Sequence, residues 1–321
     1  MKKFLTRMII FAVPILLWGV VLAAIDPYGY WGKDVGATDQ SELKIAGTLN
    51  GPLLKLNRFK TSPTSGILLG DSRVNGLEAS EIEAVSGGKK FTNLSYGGGS
   101  AKEVILSFWY AAETTELEEV YIGINFFNYT ELLQRDRVTE AMAIMKSAPS
   151  YLSSRFVNKA VVTILMQRYL KRTTTLGKPK MDRNAFWNSQ LKYADTALSG
   201  YSHPKETLSE LRKISEYCDS NGIKLVIFSS PCHQDLISKV HEHDLVAQRQ
   251  QFREEMSSLG TFLEFNYPNS FTENAENFHD PFHYKPEFAK PLIRSLFDDS
   301  EPEIGFVPLE LPAPDVKTLE Q

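Results

Sequence analysis

Short apolar runs, each cut off by turn-forming residues and spaced by longer amphipathic stretches, constrain this chain more than any other feature. The segments 66–69 (GILL), 91–96 (FTNLSY), 120–124 (VYIGI), 224–229 (KLVIFS) and 261–265 (TFLEF) read as strands. Helical patterns fall between them. The stretch to residue 114 opens on Ser100 with Glu103 three residues later, a capping box. A second helix covers 203–221 and is closed by Gly222. A third covers 236–258, and a fourth, 286–297, has Pro286 in its first turn. Strands alternating with helices predict an α/β protein: a mainly parallel sheet with helices on both faces, three layers in all. Residues 130–200 break that rhythm with basic helical sequence (NKAVVTILMQRYLKR) and read as a helical insertion between the third and fourth strands. At 321 residues and 42% apolar, the chain can bury a core of this size.

The N-terminus suggests a compartment. Lys2, Lys3 and Arg7 precede an apolar run at 8–25, and Asp26 ends it. Those 18 residues rise about 27 Å as a helix, close to the roughly 30 Å hydrocarbon core of a bilayer. The expectation is one transmembrane helix at 1–26, retained as an anchor. The positive flank faces the cytoplasm, and the body faces the periplasmic or extracellular side of a bacterial inner membrane. A cleaved signal peptide is the competing reading, because Ala23 and Ala24 are small. Residues 27–64, rich in Gly, Pro, Asp and Asn, read as an extended linker, and 65–297 as the main domain. The stretch 298–321 holds four prolines and seven acidic residues against one Lys, a composition that predicts disorder. A formal charge of −4 with no basic face argues against nucleic acid as partner. Two cysteines exclude a disulfide framework, and the residues suggest neither a metal site nor a cofactor.

Chemistry concentrates at strand ends. Gly70-Asp71-Ser72-Arg73 follows the first strand, where open parallel sheets place their ligands. A helix starting there would turn its amides toward the Ser oxygen and toward a developing oxyanion. Asp280-Pro281-Phe282-His283 offers a base and a carboxylate to orient it, on one side of a Pro-bearing turn. Gly97-Gly98-Gly99-Ser100 follows the second strand, and glycine lets backbone approach a ligand. Gly123-Ile124-Asn125 ends the third strand and could aim an amide at the same place. Each piece has a plain alternative: a helix cap, a surface loop, a flexible turn and a polar strand end.

In this order the four pieces resemble the SGNH, or GDSL-type, hydrolase superfamily, whose blocks are a Gly-Asp-Ser nucleophile, a Gly, a Gly-x-Asn and an Asp-x-x-His. The resemblance spans residues 66–297. It implies an SGNH-like three-layer fold with Ser72 as nucleophile, His283 as base and Asp280 orienting it. It also implies an oxyanion hole from the N–H groups of Ser72 and Gly98 and the Asn125 amide, with Gly97 as the alternative glycine. Two positions depart from the usual pattern: Arg73 stands where Leu is common, and Phe126 where Asp follows Gly-x-Asn. Together with the N-terminal anchor, the layout is similar to membrane-anchored proteins of cell-surface polymer acylation, of the D-alanyl transfer and alginate O-acetylation types. That implies a serine acyltransferase moving an acyl group, most simply acetyl, to or from a cell-surface polysaccharide or related polymer. A membrane-bound O-acyltransferase would be its partner. A hydrolytic esterase with the same residues, and a non-catalytic polymer-binding or scaffold subunit of an envelope complex, are the competing classes.

Three further residues are candidate substrate contacts. Arg73 could meet a carboxylate or phosphate, or form a salt bridge. Gly97 lies in the glycine turn. His233, in Pro231-Cys232-His233 after the fourth strand, could line the cleft. A Cys232–His233 catalytic pair is not expected, since neighbours on an extended chain point apart. A Cys218–Cys232 disulfide would have to reach along a whole strand.

Overall fold

The computed structural model describes residues 2–32, 39–132, 135–171, 181–298 and 307–310. The chain divides into two compact units, one of residues 1–62 with 137–178, the other of residues 63–136 with 179–321.

The second unit carries the sheet. Its strands are β1 (Gly66–Leu69), β2 (Phe91–Asn93), β3 (Glu119–Gly123), β4 (Lys224–Ser229), β5 (Thr261–Glu264), β6 (Phe278–Asp280), β7 (His283–Tyr284) and β8 (Leu309–Glu310). The main sheet runs β2-β1-β3-β4-β5-β8, parallel except for the antiparallel edge pair β5–β8, while β6 and β7 form a separate ribbon. Leu68 aligns with Asn93 on one side and with Tyr121 on the other. The strands read as continuous apolar runs because they are buried on both faces: every residue of β1 and β3 is buried. Alternation sorts their side chains. Leu68, Tyr121, Val226 and Phe228 enter one cluster with Leu292, Ile293 and Leu296 of the helix Ala289–Phe297. The helices Ala101–Thr114 and Lys205–Ser220 pack on each other and on β1 and β4. Helix, sheet and helix make three layers, as the sequence pattern predicts. The order also makes β1 and β3 the place where the winding reverses, and ligands of such sheets sit outside that crevice.

Several boundaries differ from the sequence reading. The helix expected at 236–258 is two, Gln234–Glu242 and Val246–Ser258, broken where Asp244 adopts φ 54°. At 286–297 a 3-10 turn, Pro286–Phe288, precedes the helix Ala289–Phe297. In the C-terminal stretch 298–321, residues 309–310 pair with β5, and for 299–306 and 311–321 the expectation of disorder falls outside the described residues. Cys218 and Cys232 are both buried and free.

The first unit is helical. The expected extended linker instead contains the helix Gln40–Thr61, kinked at Asn50. Asn50 leaves helical geometry at φ −153°, and its Oδ1 accepts from the Leu53 N–H at 2.9 Å, so the Asn-Gly-Pro break restarts the helix instead of ending it. Leu53, Leu56 and Phe59 are fully buried there. This helix packs on Val138–Met145 and Arg155–Leu170, and Arg168 grips Glu42 through two contacts of 2.5 and 2.8 Å. The 130–200 stretch is therefore not one insertion: residues 137–171 fold with the N-terminal segment, while residues 130–136 and the helix Arg183–Ser199 belong to the sheet unit.

The chain's first helix is Lys2–Ile25, 24 residues. Among the described residues, no helix is long and apolar enough to cross a membrane. The expected span 8–25 includes Ile9, whose side chain is outside the described residues. Asp26 closes this helix. Its carboxylate accepts from the N–H groups of Tyr30 and Trp31 and from the Tyr151 hydroxyl at 2.7 Å.

Candidate active site

The turn after β1 sets the first residue. An added Cβ on Gly70 would sit 2.6 Å from Val74 Cγ2 and 2.9 Å from the Gly123 carbonyl, so only glycine fits. Asp71 then caps the single helical turn Ser72–Asn75, its side chain accepting from the Arg73 N–H at 2.9 Å. This puts Ser72 at the head of the turn, at the β1/β3 crevice. Among the described residues the Ser72 N–H has no backbone acceptor.

The second residue arrives on the β6–β7 ribbon. Asp280 and His283 are paired across it, with only Pro281 and Phe282 in the turn. Directly opposed residues project to the same face of a ribbon, which is why an Asp three residues before a His can orient it. His283 Nδ1 lies 2.9 Å from both carboxylate oxygens of Asp280. The carboxylate also accepts from the Phe282 N–H at 2.9 Å. An acceptor-only carboxylate assigns the ring proton to Nδ1. Nε2 is then free to accept, and it lies 2.7 Å from Ser72 Oγ. The ribbon is fastened to the serine turn by Tyr284, whose hydroxyl donates to the Arg73 carbonyl at 2.5 Å. It is held from behind by the His233 N–H, which donates to the Pro281 carbonyl at 2.9 Å.

Ser72 and His283 open into a cavity of about 510 Å³ whose lining also includes Gly98, Gly99, Asn128, Arg135, Gln190, Tyr193 and Phe282. Gln190 and Tyr193 come from the helix Arg183–Ser199. Gly98 has φ 59°, a conformation that favours glycine, and its carbonyl accepts from Arg135 Nη1 at 3.5 Å. Gly97 is not among the lining residues.

Three further candidates are engaged otherwise than the sequence suggested. Asn125 is 1% exposed and outside the cavity wall. Its Nδ2 donates to the Ser230 carbonyl at 2.8 Å and its Oδ1 accepts from the Ser230 N–H at 3.1 Å. That pair ties the exits of β3 and β4 together and engages the Asn125 amide outside the cavity wall. The side chain that β3's exit does deliver to the cavity is Asn128, three residues on, through the 3-10 turn Phe126–Asn128. Its amide donates to Asp71 and, at a long 3.4 Å, to the Gly99 carbonyl. Sequence reasoning passed over it because a strand-end motif points to Asn125 and nothing local announces a turn that swings a later Asn inward.

Arg73 touches the cavity, but its guanidinium is committed. It pairs with Asp71 through Nη2 and through Nε at 3.1 Å, and lies 3.4 Å from Cys232 Sγ. Burial would lower its pKa, yet the neighbouring Asp71 and Cys232 outweigh that and hold it above the ordinary arginine value. Burial likewise raises the Cys232 thiol pKa, against the pull of Arg73, which argues against a thiolate nucleophile. His233 does not line the cleft. It is 4% exposed, caps the helix Gln234–Glu242 through Nδ1 at 3.2 Å from the Asp235 N–H, and packs edge-on to Trp187 and Phe278. Burial lowers its pKa, which favours the neutral ring. Phe126 and Phe127 are buried, Phe126 against Tyr201 and Phe127 against Phe282.

No family model matches this chain, and no curated protein matches it. Among solved structures, a Bacteroides fragilis NCTC 9343 protein described as a "putative acylhydrolase" aligns at 10% identity and TM-score 0.35, over 72% of this chain and 85% of that one.

Proposed function

We propose that this chain is a serine-dependent acyl-transfer enzyme. The observation that carries the reading is the continuous contact from Ser72 Oγ through both ring nitrogens of His283 to Asp280, at the mouth of a cavity. His283 takes the Ser72 proton as Oγ attacks the acyl carbon, and Asp280 steadies the imidazolium that forms. The N–H groups of Ser72 and Gly98 are the oxyanion donors. Asn128 replaces Asn125 as the third, since its N–H on Gly99 is held only at 3.4 Å and can turn to a ligand. The tetrahedral intermediate collapses with cleavage of the donor's acyl–oxygen bond, and the departing alcohol takes the proton back from His283. His283 then deprotonates an acceptor hydroxyl, or water with the outcome of an esterase, which attacks the acyl-enzyme and releases Ser72.

The acceptor we propose is a cell-surface polysaccharide or related polymer, reached from a membrane anchor at residues 1–26, with the sheet unit on the outer side and a membrane-bound O-acyltransferase as donor. Support for the anchor is the exposure of Phe4, Met8, Phe11, Ile15, Leu16 and Leu17 on the first helix. Just beyond its end come the half-buried Tyr30 and the exposed Trp31, residue types that favour a membrane interface. A cavity of about 510 Å³ has room for a sugar unit as well as an acyl group. The test is partition. The full chain in detergent is acetylated with an aryl acetate, and loss of the acetyl group is followed with and without oligosaccharide acceptors. Faster loss with acetylated sugar as product is expected; loss at the rate in water alone, for every acceptor, would leave the esterase.

A further inference from the structure

We propose that Arg135 is the specificity residue of this site and that it recognises an anionic oxygen group, carboxylate or phosphate, on the substrate near the transferred acyl group. The inference deepens the acyl-transfer reading and rests on it.

The argument is one of charge within the wall. Among the described residues, the charged side chains of the wall belong to Arg73, Arg135, Asp71 and, when protonated, His283. Asp71 and Arg73 satisfy each other in a buried pair. Asp280, behind His283, is likewise engaged with the imidazole and the Phe282 N–H. Arg135 is exposed, and among the described residues no carboxylate pairs with it; its recorded contact is the Gly98 carbonyl at 3.5 Å. The adjacent acid, Asp136, is taken by Lys102 at 3.2 Å.

An arginine held against the cavity's own carbonyl, with no pairing carboxylate among the described residues, leaves most of its five donors free, in a fork that matches a carboxylate or phosphate. Its backbone is fixed as well, because the Ser100 hydroxyl donates to the Arg135 carbonyl at 2.6 Å. The position next to Gly98 matters. A group bound there lies beside a proposed oxyanion donor, so the anion would orient the ester carbonyl over Ser72 and would not merely add affinity.

The test uses esters matched in their reacting part: 4-acetoxybenzoate, its neutral methyl ester, and 4-acetoxyphenyl phosphate. Acetylation of the full chain in detergent is followed by released phenol, and each kcat/KM is divided by the ester's own rate with hydroxide. Wild type is expected to prefer one or both anionic esters by at least about fivefold, the span of a partly exposed charged hydrogen bond, and the preference should shrink with added salt. Whichever anion is preferred identifies the group recognised. Arg135→Gln should remove the preference, Arg135→Glu should invert it, and Arg135→Lys should keep part. A preference that survives in Arg135→Gln and Arg135→Glu would overturn the proposal, as would a wild type with no preference. Failure of wild type to take acetyl from any of the three esters would instead sink the acyl-transfer reading, and this assignment with it.

Discussion

Three residue types occur twice around the end of this sheet, once with an accessible side chain and once with a sealed one: His283 and His233, Arg135 and Arg73, Asn128 and Asn125. The accessible members have contacts a ligand can share or replace. His283 is 37% exposed in its side chain and meets Ser72, Arg135 touches one carbonyl, and Asn128 holds Gly99 loosely. The others are nearly sealed, at 4%, 4% and 1% exposure, and their polar groups serve the chain: a helix cap, an ion pair and a strand-to-strand tie. Residue type does not decide which role a side chain takes. What decides is whether its neighbours already use its hydrogen-bonding capacity, because a buried polar group left unpaired is costly.

This contrast separates rate from stability, and the largest separation is expected first. His283→Ala should lower turnover by about 10⁴-fold while the urea midpoint barely moves. Arg73→Met should do the reverse in kind. It strands Asp71 in a buried site and should cost about 3–5 kcal/mol of folding stability, read by chemical denaturation. The two asparagines make the sharpest pair. Asn128→Ala should cut kcat by about 10²-fold, the usual loss of one oxyanion donor. Asn125→Ala should instead cost about 1–3 kcal/mol of stability by leaving the Ser230 backbone unpaired. Reversed results for those two would return the oxyanion role to Asn125. The smallest effect concerns His233. Burial depresses its pKa, so its contribution to stability is fully present above the ordinary imidazole value and is lost as pH falls through the folded-state value. His233→Asn keeps a capping side chain, and its stability should fall less than wild type's between about pH 7 and pH 5.

The sequence made the site partly legible. Ser72 and the Asp280–His283 pair lie in local motifs whose geometry follows from a strand end and a two-residue turn, and both are where those motifs imply. Asn128 and Arg135 were not legible, because their positions depend on a 3-10 turn and on a chain path from residue 129 onward that no local pattern fixes. The same holds for the fold. The five parallel strands follow from burial and alternation. The helix Gln40–Thr61 was hidden by Gly47, Asn50, Gly51 and Pro52, residues that ordinarily punctuate loops, and its buried face is explained only by partners some 80 to 130 residues away along the chain.

The central claim is that Ser72 carries an acyl group, and intact-protein mass after incubation with an aryl acetate tests it most directly. Full-length wild type should gain one acetyl group, peptide mapping should put it on Ser72, and Ser72→Ala should gain none. An adduct of equal yield in Ser72→Ala, or none in wild type while the folded state is intact, would contradict the account.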